Sequence, residues 1–215
     1  AVEGVIRGRF YNCGQTCTAV KRLYVYESIA DEFIRHLRAR VEGIVVGNGM
    51  ERGVSMGPLN NRPGLDRLVR QVDAARERDE GEIITGGRVP EGKNYERGFF
   101  FLPTLITGVP QESVLISEEV FGPVLPIATV ADLDEALDRA NDSRYGLGAS
   151  VWTRSADVIV RATRELEAGI VWVNQHLRTP PEVPFGGTKE SGIGRENGRR
   201  ALDEYTEEKT VLIRL

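Results

Sequence analysis

The sequence predicts an α/β layered domain with a largely parallel sheet and helices on its faces. Short runs rich in β-branched and aromatic residues alternate with stretches whose apolar residues recur at helical spacing, and glycine and proline punctuate the connections. Composition agrees: 215 residues, 40% hydrophobic and 28% charged, suffice to bury a sizeable core and are ordinary for a globular protein.

The elements follow in order. Val2, Val5, Ile6 and Phe10 share a helical face, so a helix delivers the chain to a turn holding both cysteines, Cys13 and Cys17. Val20 to Tyr26 reads as a strand. Ser28 reads as the cap of a helix whose apolar face is Ile29, Phe33, Leu37 and Val41, with His36 on the polar side. A long loop from Gly43 to Gly64 precedes a helix with Leu65, Leu68, Val69, Val72 and Ala75 on one face. Glu82 to Thr85 is a short strand. Gly98 to Ile106 is another apolar region, bent or held at an edge by Pro103. A helix over Asp132 to Asn141 and a strand over Gly148 to Trp152 come next. Ser155 caps a further helix that Gly169 ends, and Ile170 to Asn174 is a buried strand. Residues 175–184, with three prolines, form a loop. A short helix near Arg195 to Glu204 and a final strand, Thr210 to Leu215, close the sequence.

Several function classes are excluded. A net charge of −4 with scattered arginines offers no basic face for nucleic acid. No apolar run approaches the roughly 18 residues of a membrane span, and the N-terminus carries no signal-peptide pattern. Two cysteines four residues apart are not a secreted disulfide framework, so a reducing, cytoplasmic setting is expected. Neither histidine has a second candidate ligand near it in sequence, so no metal site is expected. The chain opens at Ala1 without methionine, inside a motif-bearing helix, and reads as part of a longer protein.

The segment Phe10-Tyr11-Asn12-Cys13-Gly14-Gln15-Thr16-Cys17 organises the rest. Two cysteines can simply be small buried hydrophobes. A working nucleophile must instead react as thiolate, partly exposed and near N–H groups or positive charge. Gly14 permits close backbone approach, and Gln15 and Thr16 supply polar groups that a buried structural cysteine does not need.

This segment, followed by Arg22-Leu23-Tyr24-Val25, resembles the active-site cysteine region of the NAD(P)-dependent aldehyde dehydrogenase superfamily, with Cys17 at the nucleophile position. Glu119-Val120-Phe121-Gly122-Pro123 is similar to the family's E-x-F-G-P motif. Residues 184–196 are similar to its P-F-G-G-x-K-x-S-G-x-G-R-E motif. The resemblance implies an aldehyde-dehydrogenase-type catalytic domain over residues 1–190, and a C-terminal segment over 191–215 whose last strand serves oligomerisation. It also implies a homodimer or homotetramer.

By the same resemblance, Cys17 adds to an aldehyde and Glu196 serves a proton relay. Glu119 and Phe121 face the NAD or NADP cofactor, whose main binding domain lies outside this chain, as does the general base. The isolated chain is therefore expected to be inactive as a dehydrogenase. Phe185 lines the substrate pocket, and Arg195 and Glu207 pair to hold the C-terminal segment. The loop carrying His176 and Arg178 lies at the aldehyde entrance, where a basic group suits a semialdehyde carboxylate. Tyr11 argues the other way, standing where succinate-semialdehyde dehydrogenases place an arginine. Cys13 is either inert or a reversible disulfide partner for Cys17. Other chemistries open to a reactive Cys17 are acyl transfer to coenzyme A and thioester hydrolysis. A non-catalytic assembly role is the remaining alternative.

Overall fold

The computed structural model describes residues 1–215. In chain order its elements are helix α1 (Val2–Phe10), strand β1 (Leu23–Tyr26), helices α2 (Glu27–Glu42) and α3 (Arg62–Glu77), and strands β2 (Glu82–Thr85) and β3 (Thr104–Thr107). A one-turn helix α4 (Val114–Ser117), strand β4 (Val124–Val130), helix α5 (Leu133–Asn141) and strands β5 (Tyr145–Gly146) and β6 (Gly148–Val151) follow. Helix α6 (Ala156–Glu165) and strands β7 (Ile170–Val173) and β8 (Thr188–Lys189) complete the set. Short 3₁₀ turns cover Tyr11–Gly14 and Arg199–Tyr205.

The main sheet has the order β1-β4-β3-β2. β1 and β3 run parallel to β4, and β2 closes the edge antiparallel to β3. Two smaller ribbons accompany it: β6 and β7 pair in parallel through α6, and β5 and β8 pair antiparallel. The sheets are therefore mixed in direction.

The central strand, β4, is the element the sequence pattern does not announce. Six of its seven residues are buried, so it shows none of the alternation of a half-exposed strand, and Pro126 within it reads as a breaker. In the fold Pro126 lies opposite Ile106 of β3, one residue before the pairing with β1 begins at Leu23 and Ile127.

Local chemistry explains the helix boundaries, and several differ from the sequence pattern. α2 begins at Glu27, with no side-chain cap, so Ser28 lies inside its first turn. The buried face of α2 is Ala30, Leu37 and Val41 with Phe33 and Ile34, while Ile29 is half exposed. This face packs on β1, β4 and β2. α3 starts ahead of Leu65 because the Asn61 side chain accepts from the Gly64 N–H and Pro63 fits the first turn. Asp132 and Ser155 cap α5 and α6 in the same way. α6 ends at Glu165, so Gly169 is not its terminator.

The core joins the main sheet, α2, α3 and the inner face of α1, with Leu37, Leu105, Leu115, Val120, Val124 and Leu125 fully buried. Near the C-terminus the expected helix is a 3₁₀ turn beginning at Arg199. The expected last strand does not form: residues 206–215 are neither helix nor strand, and Val211, Leu212, Ile213 and Leu215 are exposed. Nothing in the chain lies beside them to complete a ladder. No helix is long and apolar enough to cross a membrane.

Candidate functional site

The site begins where α1 stops. Asn12, Cys13 and Gly14 turn the chain through three successive left-handed conformations, with φ of 49°, 57° and 73°. Glycine adopts this freely and asparagine readily; for Cys13 it costs about 1–2 kcal/mol. A Cβ on Gly14 would also overlap the Gly122 carbonyl, so the cysteine turn and the 118–123 segment touch backbone to backbone. Asn12 and Gln15 close the turn reciprocally, each side-chain amide donating to the other's carbonyl at 3.1 and 3.0 Å. The Asn60 N–H donates to Gln15 Oε1 at 2.8 Å, fixing the turn to the long loop. Asn12 and Gln15 are thus structural clasps, whereas the buried Thr16 hydroxyl makes no hydrogen bond.

Arg9 locks the same two segments from below. Its side chain is wholly buried and donates to the carbonyls of Val20 at 2.9 Å, Val120 at 2.8 Å and Gly122. Burial pushes its guanidinium down to about 9, while the charges of Cys13 and Glu119 pull the other way. Across the seam, the buried Gln71 of α3 donates to Glu118 Oε2 at 3.3 Å and to the Glu119 carbonyl at 3.4 Å.

After the turn, the Ala19 N–H donates to the Thr16 carbonyl at 3.1 Å and the chain presents Cys17 at the corner, exposed. The Cys17 N–H has no acceptor in the protein. Cys13 is its opposite: the thiol is buried and pushed up to about 12 by desolvation, with Arg9 lowering it in part.

Lys21, at the start of the following strand segment, joins the two motifs electrostatically. Its Nζ lies 3.2 Å from Glu119 Oε1, donates to the Thr16 carbonyl at 3.2 Å and to the Val120 carbonyl at 3.5 Å, and sits 4.7 Å from the centre of the Phe121 ring. Burial and the nearby Arg9 charge lower its ammonium to about 8; Glu119 and Cys17 act in the opposite direction. Glu119 and Phe121 keep 45% and 39% of their surface exposed.

On the other side of Cys17 lies a cleft of about 560 Å³ that Cys17 shares with Phe185, Glu196, Ser191, Arg195 and Tyr205. Phe185 and Glu196 form a two-residue ladder, Phe185 N–H to Glu196 carbonyl at 2.6 Å and Glu196 N–H to Phe185 carbonyl at 2.8 Å. The β5–β8 pairing and the Ser191 hydroxyl, which accepts from the Gly146 N–H at 3.0 Å, hold this loop to the body of the domain. Arg195 donates to the carbonyls of Gly187 and Gly194, both at 2.7 Å, and forms no ion pair with Glu207.

Of the sequence-predicted residues, the fold brings Cys17, Phe185 and Glu196 to one cleft and joins Glu119 and Phe121 to the cysteine turn through Lys21. His176 is turned inward. Its Nε2 is 2.8 Å from the Thr18 carbonyl, its ring packs edge-on against Trp172 at 4.9 Å, and a Cβ on Gly8 would strike it. Desolvation lowers its pKa, so the imidazole is neutral at pH 7 rather than a basic group at an entrance. Arg178 is exposed and does not line the cleft; its carbonyl accepts from the Trp172 Nε1–H at 2.7 Å.

Sequence reasoning missed Arg9 and Lys21. Arg9 was legible in principle, since it falls four residues after Val5 on the apolar face of α1, where an arginine must find buried acceptors. Lys21 gave no such signal.

The chain is similar to known proteins along nearly its whole length. The chain is 42% identical over 99% of its length to phenylacetaldehyde dehydrogenase of Pseudomonas fluorescens, of which it spans 42%. It is 41% identical over its whole length to cytosolic aldehyde dehydrogenase 2 of Macroscelides proboscideus, covering 88% of that sequence. Among solved structures, 3,6-anhydro-L-galactose dehydrogenase in complex with NAP superposes with a TM-score of 0.94 at 37% identity, over 97% of this chain and 43% of that one. Betaine aldehyde dehydrogenase from Staphylococcus aureus in complex with NAD+ superposes with a TM-score of 0.91 at 35% identity, over 95% and 40%. The chain thus spans less than half the length of most of these relatives. The family model that matches, over residues 1–211, is that of the aldehyde dehydrogenase family, and the chain belongs to that family.

Proposed function

We propose that this chain carries the nucleophile of an NAD- or NADP-dependent aldehyde dehydrogenase, which oxidises an aldehyde to a carboxylic acid. The observation that carries this reading is the exposed Cys17, with its own N–H unengaged, facing a cleft shared with Phe185 and Glu196. The Cys17 thiolate attacks the aldehyde carbon, a C–S bond forms and the carbonyl electron pair moves to oxygen. The Cys17 N–H donates to that oxyanion as its charge develops.

A bound nicotinamide cofactor would supply the hydride acceptor, and Cys17 would then hold the acyl group as a thioester. Glu119 and Phe121 fit such a group: a half-exposed carboxylate can accept ribose hydroxyls, and a half-exposed ring can pack on a planar heterocycle. The relatives solved with NAP and NAD+ support a nicotinamide cofactor. Water then attacks the thioester carbon, the C–S bond breaks and the acid leaves. Glu196, exposed in the same cleft, is the carboxylate that relays the water's proton.

Arg178, exposed and without an ion-pair partner, lies outside the cleft lining, so it would draw in a semialdehyde carboxylate as a steering charge rather than as a contact. An unchanged KM for a semialdehyde in Arg178→Ala would remove that substrate class. The exposed Val211, Leu212 and Ile213 supply the edge through which a second copy pairs in a homodimer or homotetramer, and deletion of residues 210–215 is expected to give monomers in size-exclusion chromatography.

The decisive experiment is oxidation of an aldehyde panel, phenylacetaldehyde and betaine aldehyde included, by the protein that carries this chain joined to a nucleotide-binding half. It is followed at the absorbance of the reduced nicotinamide, beside Cys17→Ser and beside this chain alone. Turnover lost in Cys17→Ser and in the isolated chain is expected. No turnover on any aldehyde, from folded protein with an alkylatable Cys17, would overturn the proposal.

A further inference from the structure

We infer that Lys21 is a positioning residue for the oxyanion donor: by gripping the Thr16 carbonyl it aims the Cys17 N–H, and by holding Glu119 it ties that aim to the cofactor side of the site. The inference rests on the reading of Cys17 as nucleophile.

The Thr16–Cys17 peptide is planar and trans, so its C=O and N–H point in opposite directions and cannot turn independently. Whatever fixes the Thr16 carbonyl therefore fixes the direction of the Cys17 N–H. Two donors do so: the Ala19 N–H at 3.1 Å, which closes the turn, and the Lys21 Nζ at 3.2 Å. The second donor is a side chain anchored in turn on Glu119 at 3.2 Å and on the Val120 carbonyl at 3.5 Å, so the Thr16 carbonyl is held by its own turn and by the 118–123 segment together. The Lys21 side chain is only 18% exposed and its head lies over the Phe121 ring, so water competes little for these contacts. The Cys17 N–H itself donates to nothing in the protein, as an oxyanion donor held in readiness must.

The test separates aim from nucleophilicity. Acylation of Cys17 by p-nitrophenyl acetate passes through a tetrahedral oxyanion: the C–S bond forms, the C–O bond breaks and nitrophenolate leaves. Alkylation by iodoacetamide displaces iodide directly and develops no oxyanion. The ratio of the two rates on the same protein, without any cofactor, reports oxyanion stabilisation with the thiolate fraction divided out. Removing an oxyanion donor altogether costs about 10²–10³ in rate. Lys21→Met, which keeps the apolar stem, is therefore expected to lower the acylation-to-alkylation ratio at least about fivefold, and Lys21→Arg, a cation that can still reach the carbonyl, to recover most of it. A ratio changed less than about fivefold in Lys21→Met, including a parallel fall of both rates, overturns the inference, as does Lys21→Arg behaving like Lys21→Met. Should Lys21→Met not fold, Lys21→Gln, too short to reach the carbonyl, makes the same comparison with the same readings. Wild-type protein in which Cys17 reacts with neither reagent would instead overturn the assignment of Cys17 as nucleophile.

Discussion

Arg9, at the end of α1, donates to the carbonyl of Val120 at 2.8 Å across 111 residues of sequence, and the same guanidinium reaches Gly122 and Val20. No carboxylate pairs with it. A buried cation serving three carbonyls acts as a rivet between the cysteine turn and the segment carrying Glu119 and Phe121. Arg9→Met would leave the Val20 carbonyl without a donor, at about 1–3 kcal/mol, and would leave the Val120 and Gly122 carbonyls only the Lys21 Nζ and the Val124 N–H, at less. Urea unfolding should show a loss of about 3 kcal/mol, with slower alkylation of Cys17. A variant as stable as wild type would show that the carbonyls find other donors.

Gly14→Ala tests the contact above that rivet. The residue sits at φ 73°, and its new Cβ would press on the Gly122 carbonyl, which is backbone and cannot rotate away. The left-handed conformation costs about 1–2 kcal/mol for alanine, and the overlap adds to it. A fall in thermal midpoint of several degrees together with slower Cys17 alkylation is expected. An unaltered midpoint would mean that the two segments can separate without cost.

The two cysteines should react very differently. Cys17 is exposed, whereas the Cys13 thiol is buried and pushed up to about 12. At pH 8 only roughly one Cys13 in 10,000 is thiolate. Limited iodoacetamide treatment followed by peptide mapping should therefore modify Cys17 and spare Cys13 in folded protein and label both in urea. Equal labelling of the folded protein would contradict the burial of Cys13. Mild peroxide should give no Cys13–Cys17 disulfide, because forming it requires moving a thiol packed in the core.

Lys21 should leave a signature in the pH dependence of stability. Burial lowers it to about 8 from the 10.5 of a free lysine, so between those values the unfolded chain binds a proton that the folded one does not. Stability then rises with pH across that window, and the cost of burying the charge is present in full below it. Arg9 disfavours its charge, and Glu119 and Cys17 favour it. The unfolding free energy of wild type relative to Lys21→Met should grow by about 1–3 kcal/mol from pH 8 to pH 10.5. A difference that stays flat with pH would place Lys21 in contact with solvent.

The sequence alone determined the α/β class, because periodicity is local: the apolar stripes of α2, α3, α5 and α6 and the short β-branched runs are visible within a dozen residues. It also named the candidate site residues, since the cysteine turn, Glu119 with Phe121, and Phe185 with Glu196 each lie within a contiguous motif. Only the tertiary structure decided the rest. β4 is hidden in sequence because burial on both faces erases alternation, and its Pro126 sits opposite β3 just before the pairing with β1 begins, a placement that no local pattern names. His176 reads as a basic residue at an entrance until Trp172 and the Thr18 carbonyl desolvate it. Arg9 and Lys21 reach the carbonyl of Val120, about a hundred residues away, which no local pattern links to them, and Thr210 to Leu215 read as a strand but have no neighbour in the chain to pair with. In each case the physical reason is the same: solvation, hydrogen-bond partners and charge environment belong to the packed neighbourhood, which the order of residues along the chain does not display.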